Sequence, residues 1–288
     1  MNGKMIKLQV AATDQTLPVL YPDSLLSPGS LVLLDASRLG IENSPTSGDY
    51  ALNNIAKDTS AIMTGSDETG VKPIYKLTGY AASGMKVERT AKKGLHVVMS
   101  KVNDVASQYL QIEMPLKIRD YIAGNNGHKF YMSHWLRNTR LADTTTSAFA
   151  YFMQNTSNYY YNANALANTP DGATPSRWLG GKRSPGLAPW YNTTGNKFTS
   201  SGFTGVTGSP VNPLGRLFYV GNETAYGSFT IHKGWSMVLY RTYIEDLTVS
   251  GRTYAEVEAI DFDLYTKAFD VGGRFYGDTF SDPATILP

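Results

Sequence analysis

From Leu31 onward the chain is a succession of short apolar runs separated by turn residues. Leu31-Val32-Leu33-Leu34 comes first, and a polar passage rich in Gly, Ser and Asn follows it to about Gly79. Segments of β type then recur at 95–102, 109–114, 129–136, 148–153, 159–161, 216–220, 228–232 and 235–242. Several carry the period-2 alternation of a half-buried strand. Along 130–137, Phe130, Met132 and Leu136 point one way, and Tyr131, Ser133, Trp135 and Arg137 the other. Many short strands with turns between them and almost no helical periodicity predict an all-β, antiparallel sandwich.

One helix is expected, a short one near the C-terminus. Thr253-Tyr254-Ala255-Glu256 fits a capping box, with Thr253 as N-cap and Glu256 at the third helical position. Tyr254, Val257, Ile260 and Leu264 recur at helical spacing, and Gly272-Gly273 can stop the chain beyond Phe269. Residues 1–30 read as an extended arm punctuated by Pro18, Pro22 and Pro28, ahead of a sandwich over 31–288. The arm holds Ile6, Leu8, Val10, Leu17, Val19 and Leu20, which need a partner surface on the domain itself or on another subunit. Removal of residues 1–28 is expected to leave the sandwich folded. A stretch rich in Gly, Pro, Ser and Thr at about 169–213 is too long for a hairpin loop and reads as an excursion.

Composition narrows the function. Charged residues make up 17% of the 288 positions, and the formal net charge is +2. The polar surface is therefore built mostly from neutral groups, which cost less than charges to bury against a neighbour. The densest basic spots are Lys92-Lys93 and Lys182-Arg183, short of the basic stripe that nucleic-acid binding requires. With no cysteine in the chain, disulfides, thiolate nucleophiles and Cys-based zinc sites are excluded. The start has no apolar core of signal-peptide length, and no stretch approaches the roughly twenty apolar residues that span a bilayer. Synthesis in the cytosol without membrane insertion is the expectation, and the sequons at Asn155, Asn192 and Asn222 read as chance matches.

The passage from Gly234 through Tyr240-Arg241-Thr242-Tyr243-Ile244-Glu245-Asp246-Leu247, followed by Ser250-Gly251-Arg252-Thr253-Tyr254-Ala255-Glu256-Val257, resembles the closing strand of laminin-G and concanavalin A-like sandwiches. In those families the strand ends in a polar-aromatic turn and a short helix with a Glu-Val pair. The arrangement is similar to that in bacteriophage particle proteins of this fold, over roughly residues 85–280. The resemblance implies a concanavalin A-like jelly roll acting as a non-enzymatic structural component of a virion, in the tail, the baseplate or on the capsid surface. Its partners would be other virion proteins and copies of itself. The alternative is a glycan-binding module that recognises the host surface.

Glycoside hydrolases that share the sandwich carry an acidic triplet on one strand face. The nearest match here, Ala259-Ile260-Asp261-Phe262-Asp263, has Ala259 in the nucleophile's place and lies in the helical pattern, so Asp261 and Asp263 read as solvated helix residues. His128 and His134 are six residues apart, about 20 Å on a strand, too far to share one ion. With His96 and His232, which sit in apolar segments, they read as structural. No Gly-x-Ser-x-Gly elbow occurs, and the glycines 202, 205 and 208 do not link a strand to a helix. Neither metal nor cofactor is called for. The aromatic residues Tyr159, Tyr160, Tyr161, Trp178, Trp190 and Tyr191 cluster in or beside the excursion. They suit a protein interface, a sugar-stacking face, or simple cover for the sandwich.

Overall fold

The computed structural model describes residues 23–41, 44–103, 108–125, 128–140, 147–154, 159–166, 176–179, 182–183, 198–199, 202–204, 214–222 and 234–288, with the strands between 147 and 204 given by their backbone path. The strands are β1 (Ser30–Asp35), β2 (Asp49–Ala51), β3 (Ile74–Thr78), β4 (Met85–Arg89), β5 (Leu95–Met99), β6 (Gln108–Glu113), β7 (Lys129–Arg140) and β8 (Ser147–Gln154). They continue as β9 (Tyr159–Leu166), β10 (Ser176–Leu179), β11 (Lys182–Arg183), β12 (Phe198–Thr199), β13 (Gly202–Thr204), β14 (Leu214–Asn222) and β15 (Ser236–Asp246). The α-helices are α1 (Lys57–Thr64), α2 (Leu116–Gly124), α3 (Leu247–Ser250), α4 (Tyr254–Phe269) and α5 (Pro283–Ile286), with a 3-10 turn at Ala36–Arg38.

Two antiparallel sheets form the sandwich. The first runs β11-β10-β7-β15-β5-β4, with β1 on β15 and the β12–β13 pair on β7. The second runs β2-β3-β6-β14-β8-β9. Val97, Met132, Leu136, Met237 and Leu239 of the first sheet share one core with Leu110, Ile112, Phe218 and Val220 of the second. Each such side chain contributes roughly 1.5–3 kcal/mol by leaving water. The expected all-β antiparallel sandwich is therefore the fold.

The alternation along β7 is as expected, but its consequence is not. Phe130, Met132 and Leu136 enter the inter-sheet core, while Tyr131 and Trp135 lie on the opposite face. That second face is also buried, so the strand is covered on both sides rather than half-buried. The cover is α4 and the chain after it. Tyr254 and Val257 cluster with Tyr131 and Tyr243, and Ala268 and Phe275 cluster with Trp135 and Tyr240. Ring pairs such as Tyr131–Tyr254 at 5.1 Å and Tyr240–Phe275 at 4.7 Å seal the layer. The helix is not short, spanning 16 residues. Its capping box is as read: Glu256 N donates to Thr253 Oγ1 at 3.2 Å, and Thr253 N donates to Glu256 Oε2 at 2.7 Å.

The polar passage before Gly79 holds more structure than its composition suggests, namely β2, α1 and β3. The buried residues of α1 are Ser60 and Ala61, too small to show as apolar periodicity, and Gly65 closes the helix at φ 61°. β4 and α2 are likewise additions to the sequence reading. The segment 228–232, the arm residues Ile6, Leu8, Val10, Leu17, Val19 and Leu20, and His232 lie outside the described residues. Within the stretch read as arm, Leu25, Leu26 and Ser27 are buried against the sandwich. Gly29 is required there, because a Cβ would come within 2.2 Å of the Asp246 carbonyl.

Candidate functional site

Buried carboxylates are where a β-sandwich enzyme would keep its chemistry, and here they are tied to the scaffold. Asp261 departs from the sequence expectation: it is fully buried, not solvated. It accepts hydrogen bonds from Tyr131 Oη at 2.8 Å and Trp135 Nε1 at 3.1 Å, so two polar tips on the sheet draw the carboxylate inward. Asp263 is exposed as expected and pairs with Lys267 one turn on. Asp246 Oδ1 caps α3, while its Oδ2 accepts from Tyr121 Oη at 2.8 Å and contacts His128 Nδ1 at 2.6 Å. Glu245 takes Ser27 Oγ at 2.8 Å, Tyr243 Oη at 2.7 Å and the Arg252 guanidinium at 2.5–2.9 Å. Arg252 also donates to the Leu25 carbonyl, which lies 2.9 Å from Tyr243 Oη, and this fastens residues 25–30 to the end of β15.

The described histidines, His96, His128 and His134, hydrogen-bond to side chains of the scaffold. His96 contacts Glu88 Oε1 at 2.9 Å and Thr139 Oγ1 at 2.8 Å. That hydrogen bond holds the Glu88 carboxyl far below the usual carboxylate range, with Ser281 adding two more. Burial pushes the His96 imidazole below its ordinary pKa, and full burial does the same to His134, whose Nδ1 lies 3.0 Å from Thr242 Oγ1. Among the described residues no three His, Cys, Asp or Glu side chains are grouped to hold a metal ion.

Of the aromatic set, Tyr159, Tyr160 and Tyr161 begin β9, the outermost strand of the second sheet. Gln154 pairs with Tyr159 and Met153 with Tyr161, which leaves Tyr160 as the extra residue of a bulge. Trp178 lies on β10 of the first sheet, between His134 of β7 and Arg183 of the outer strand β11. Trp190 and Tyr191 lie outside the described residues. The backbone thus puts Tyr159–Tyr161 on an edge strand of the second sheet and Trp178 one strand in from the edge of the first.

Among the described residues two hollows open at the surface, and sequence reasoning found neither. One of about 350 Å³ is lined by Asp23, Trp135, Arg241, Lys267 and Arg274. Its charges are matched: Arg241 donates to Asp23 at 2.8 Å, and Arg274 pairs with Asp35. Burial alone would raise the Asp23 carboxyl, but Arg241 outweighs it and holds the pKa lower. Arg241 also stacks 4.9 Å from the Trp135 ring. The other hollow, of about 600 Å³, is lined by Arg38, Arg89 and Lys93 together with Ser37, Leu39 and Ile41. Only Lys93 carried a sequence signal, as half of a basic pair. Arg38 and Arg89 are fifty-one positions apart and meet only in the fold.

No family model matches the chain, and no curated protein matches it. Solved structures give weak likenesses. A Trypanosoma rangeli sialidase in complex with sialic acid superposes with a TM-score of 0.40 at 9% identity, covering 84% of this chain and 34% of the sialidase. The binding domain of a botulinum neurotoxin of serotype D/C gives 0.36 at 9% identity, covering 81% of this chain and 52% of that one. The chain therefore spans a third to a half of the proteins it is similar to. At such scores the likeness carries no activity or ligand across.

Proposed function

We propose that this chain is a non-catalytic structural component of a bacteriophage particle, working through protein–protein contacts with neighbouring virion proteins and with copies of itself. The observation that carries the reading is where the chain goes between β7 and β14. Its described strands there extend an edge of each sheet, β8–β9 on the second and β10–β11 with β12–β13 on the first. Edge strands present unpaired backbone groups and are the natural place for another chain to add. A low charge content favours burying such an edge, since few ions need desolvation. The absence of catalysis is supported by the carboxylates: Asp246, Glu245, Asp261 and Glu88 each spend their lone pairs on scaffold donors. The particle itself is suggested by the resemblance of the β15–α4 passage.

The test is to replace residues 168–212 by a Gly/Ser linker. β14 starts beside Gln154, which pairs with Tyr159, whereas β9 ends seven residues further on at Leu166. The linker must span about 25 Å, which about twelve flexible residues cover. The variant should keep its β spectrum and cooperative melting yet fail to co-sediment with particles that take up the intact chain. Normal incorporation of the variant overturns the proposal. So does an intact chain that binds no particle and instead gives specific signals on a glycan array.

A further inference from the structure

We propose that the hollow between the Ala36–Arg38 turn and the β4–β5 hairpin is an anion-binding site that takes an oxyanion, a carboxylate or a phosphate, on a small polar ligand. Its volume of about 600 Å³ suits a small molecule or one sugar unit.

Three cations line it, Arg38, Arg89 and Lys93, and among the described residues no carboxylate does. The nearest acid is already used. Asp35 Oδ1 accepts from Ser37 N at 3.0 Å and Ser37 Oγ at 2.7 Å, and its Oδ2 pairs with Arg274. None of the three cations has an ion-pair partner among the described residues, although other cations of the chain, such as Lys57, Lys76 and Arg252, do. Arg89 donates through Nη2 to the Ala36 carbonyl, while its Nε and Nη1 are buried without a partner among the described residues. Burial lowers its pKa, so the site already bears the cost of desolvating a guanidinium. Gathering like charges around a hollow is unfavourable by itself, and an anion between them reverses the sign.

The backbone supplies an independent observation. The loop joining β4 to β5 closes through Thr90 N to Gly94 O at 2.9 Å and Lys93 N to Thr90 O at 2.9 Å, with Gly94 N on Thr90 Oγ1 at 2.7 Å. Lys93 then takes φ 71°, the only left-handed non-glycine among the described residues. That position in such loops ordinarily belongs to glycine. Here the glycine is one residue later, where a Cβ would meet Val238 Cγ1 at 2.6 Å. A lysine held in a disfavoured conformation, with its side chain on the rim of a hollow, is the pattern of a residue kept for a ligand.

The test uses the full chain and isothermal titration at low ionic strength, with two probes: inorganic phosphate and D-glucuronate. Saturable binding of one or both is expected, and which probe binds tells phosphate from carboxylate. Binding should weaken about tenfold or more in Lys93→Gly and in Arg38→Ala, the effect of losing one charge-assisted hydrogen bond. Lys93→Gly suits the loop's backbone, so loss of folding does not cloud the result, and circular dichroism checks it. Failure of both probes to bind the intact chain at tens of millimolar, or unchanged affinity in both variants, overturns the proposal.

Discussion

Asp261 is where α4 is tied to the outward face of β7, and replacing it with Ala measures that tie. The carboxylate is fully buried and accepts from Tyr131 Oη and Trp135 Nε1. Removing it strips two buried donors of a charged acceptor, at about 1–3 kcal/mol each. Some of this returns, because Ala is the better helix former by up to about 0.7 kcal/mol and no carboxylate need be desolvated. A net loss of about 2–4 kcal/mol follows. Domains somewhat smaller than this one lose about 2–4 °C of Tm per kcal/mol, so the midpoint should drop by roughly 5–12 °C. Urea unfolding followed by tryptophan fluorescence gives the free energy directly, and Asp261→Asn, which keeps one acceptor oxygen, should lose less. A double-mutant cycle with Tyr131→Phe should return a coupling of at least about 0.5 kcal/mol. A loss below about 0.5 kcal/mol for Asp261→Ala, or a coupling of zero, would show that α4 is held by its apolar contacts alone.

Two further outcomes are expected. Stability should fall on acidification in two windows. His96 and His134 have folded pKa values below the unfolded value, so the unfolded chain binds more protons once the pH drops through about 6.5. Glu88 is depressed in the folded state, so its contribution is present above about pH 4.3 and is lost below it. Urea midpoints from pH 8 to pH 2 check both, and a His96→Gln variant that leaves the slope below pH 6.5 unchanged would count against the first. Lys93→Gly should raise stability by about 0.5–1 kcal/mol, the left-handed strain relieved less the extra freedom of glycine when unfolded, and a lower Tm would refute the strain.

What the sequence made legible was local or periodic. The capping box of Thr253 and Glu256 involves neighbours only, and it appears in the structure atom for atom as the spacing implies. The two faces of β7 follow from the pleat. Neither pattern says what covers a face, so an alternation read as half-buried is buried twice, with the aromatic and hydroxyl tips of Tyr131 and Trp135 turned to α4. Asp261 was misread for the same reason: a carboxylate on a helix looks solvated until donors from a strand 130 positions away reach it. The face of α1 is built from Ser60 and Ala61, which a search for large apolar residues passes over. Arg38 and Arg89 sit at a turn and at a strand end, with nothing in the sequence to link them.

These buried acids share one task. Asp246 joins α2, His128 and α3; Glu245 fastens residues 25–30; Asp261 holds α4; Glu88 holds Ser281; and Asp278 takes Tyr240 Oη and the Lys92 amide. Each ties a segment that is not a strand of the sandwich core onto the first sheet or its connections. A buried ionic or polar contact adds little net stability over an apolar one, but it is costly to break, so it fixes which segment sits where. The chain has few charges, and among the described residues Asp35, Glu245, Asp246, Asp261 and Asp278 are buried. α4 and the tail cover the outward face of the first sheet around Tyr131 and Trp135, leaving there the hollow of Asp23, Arg241 and Arg274. Binding is proposed at the lengthened sheet edges and at the cationic hollow, and substitution there should alter binding while leaving the fold intact.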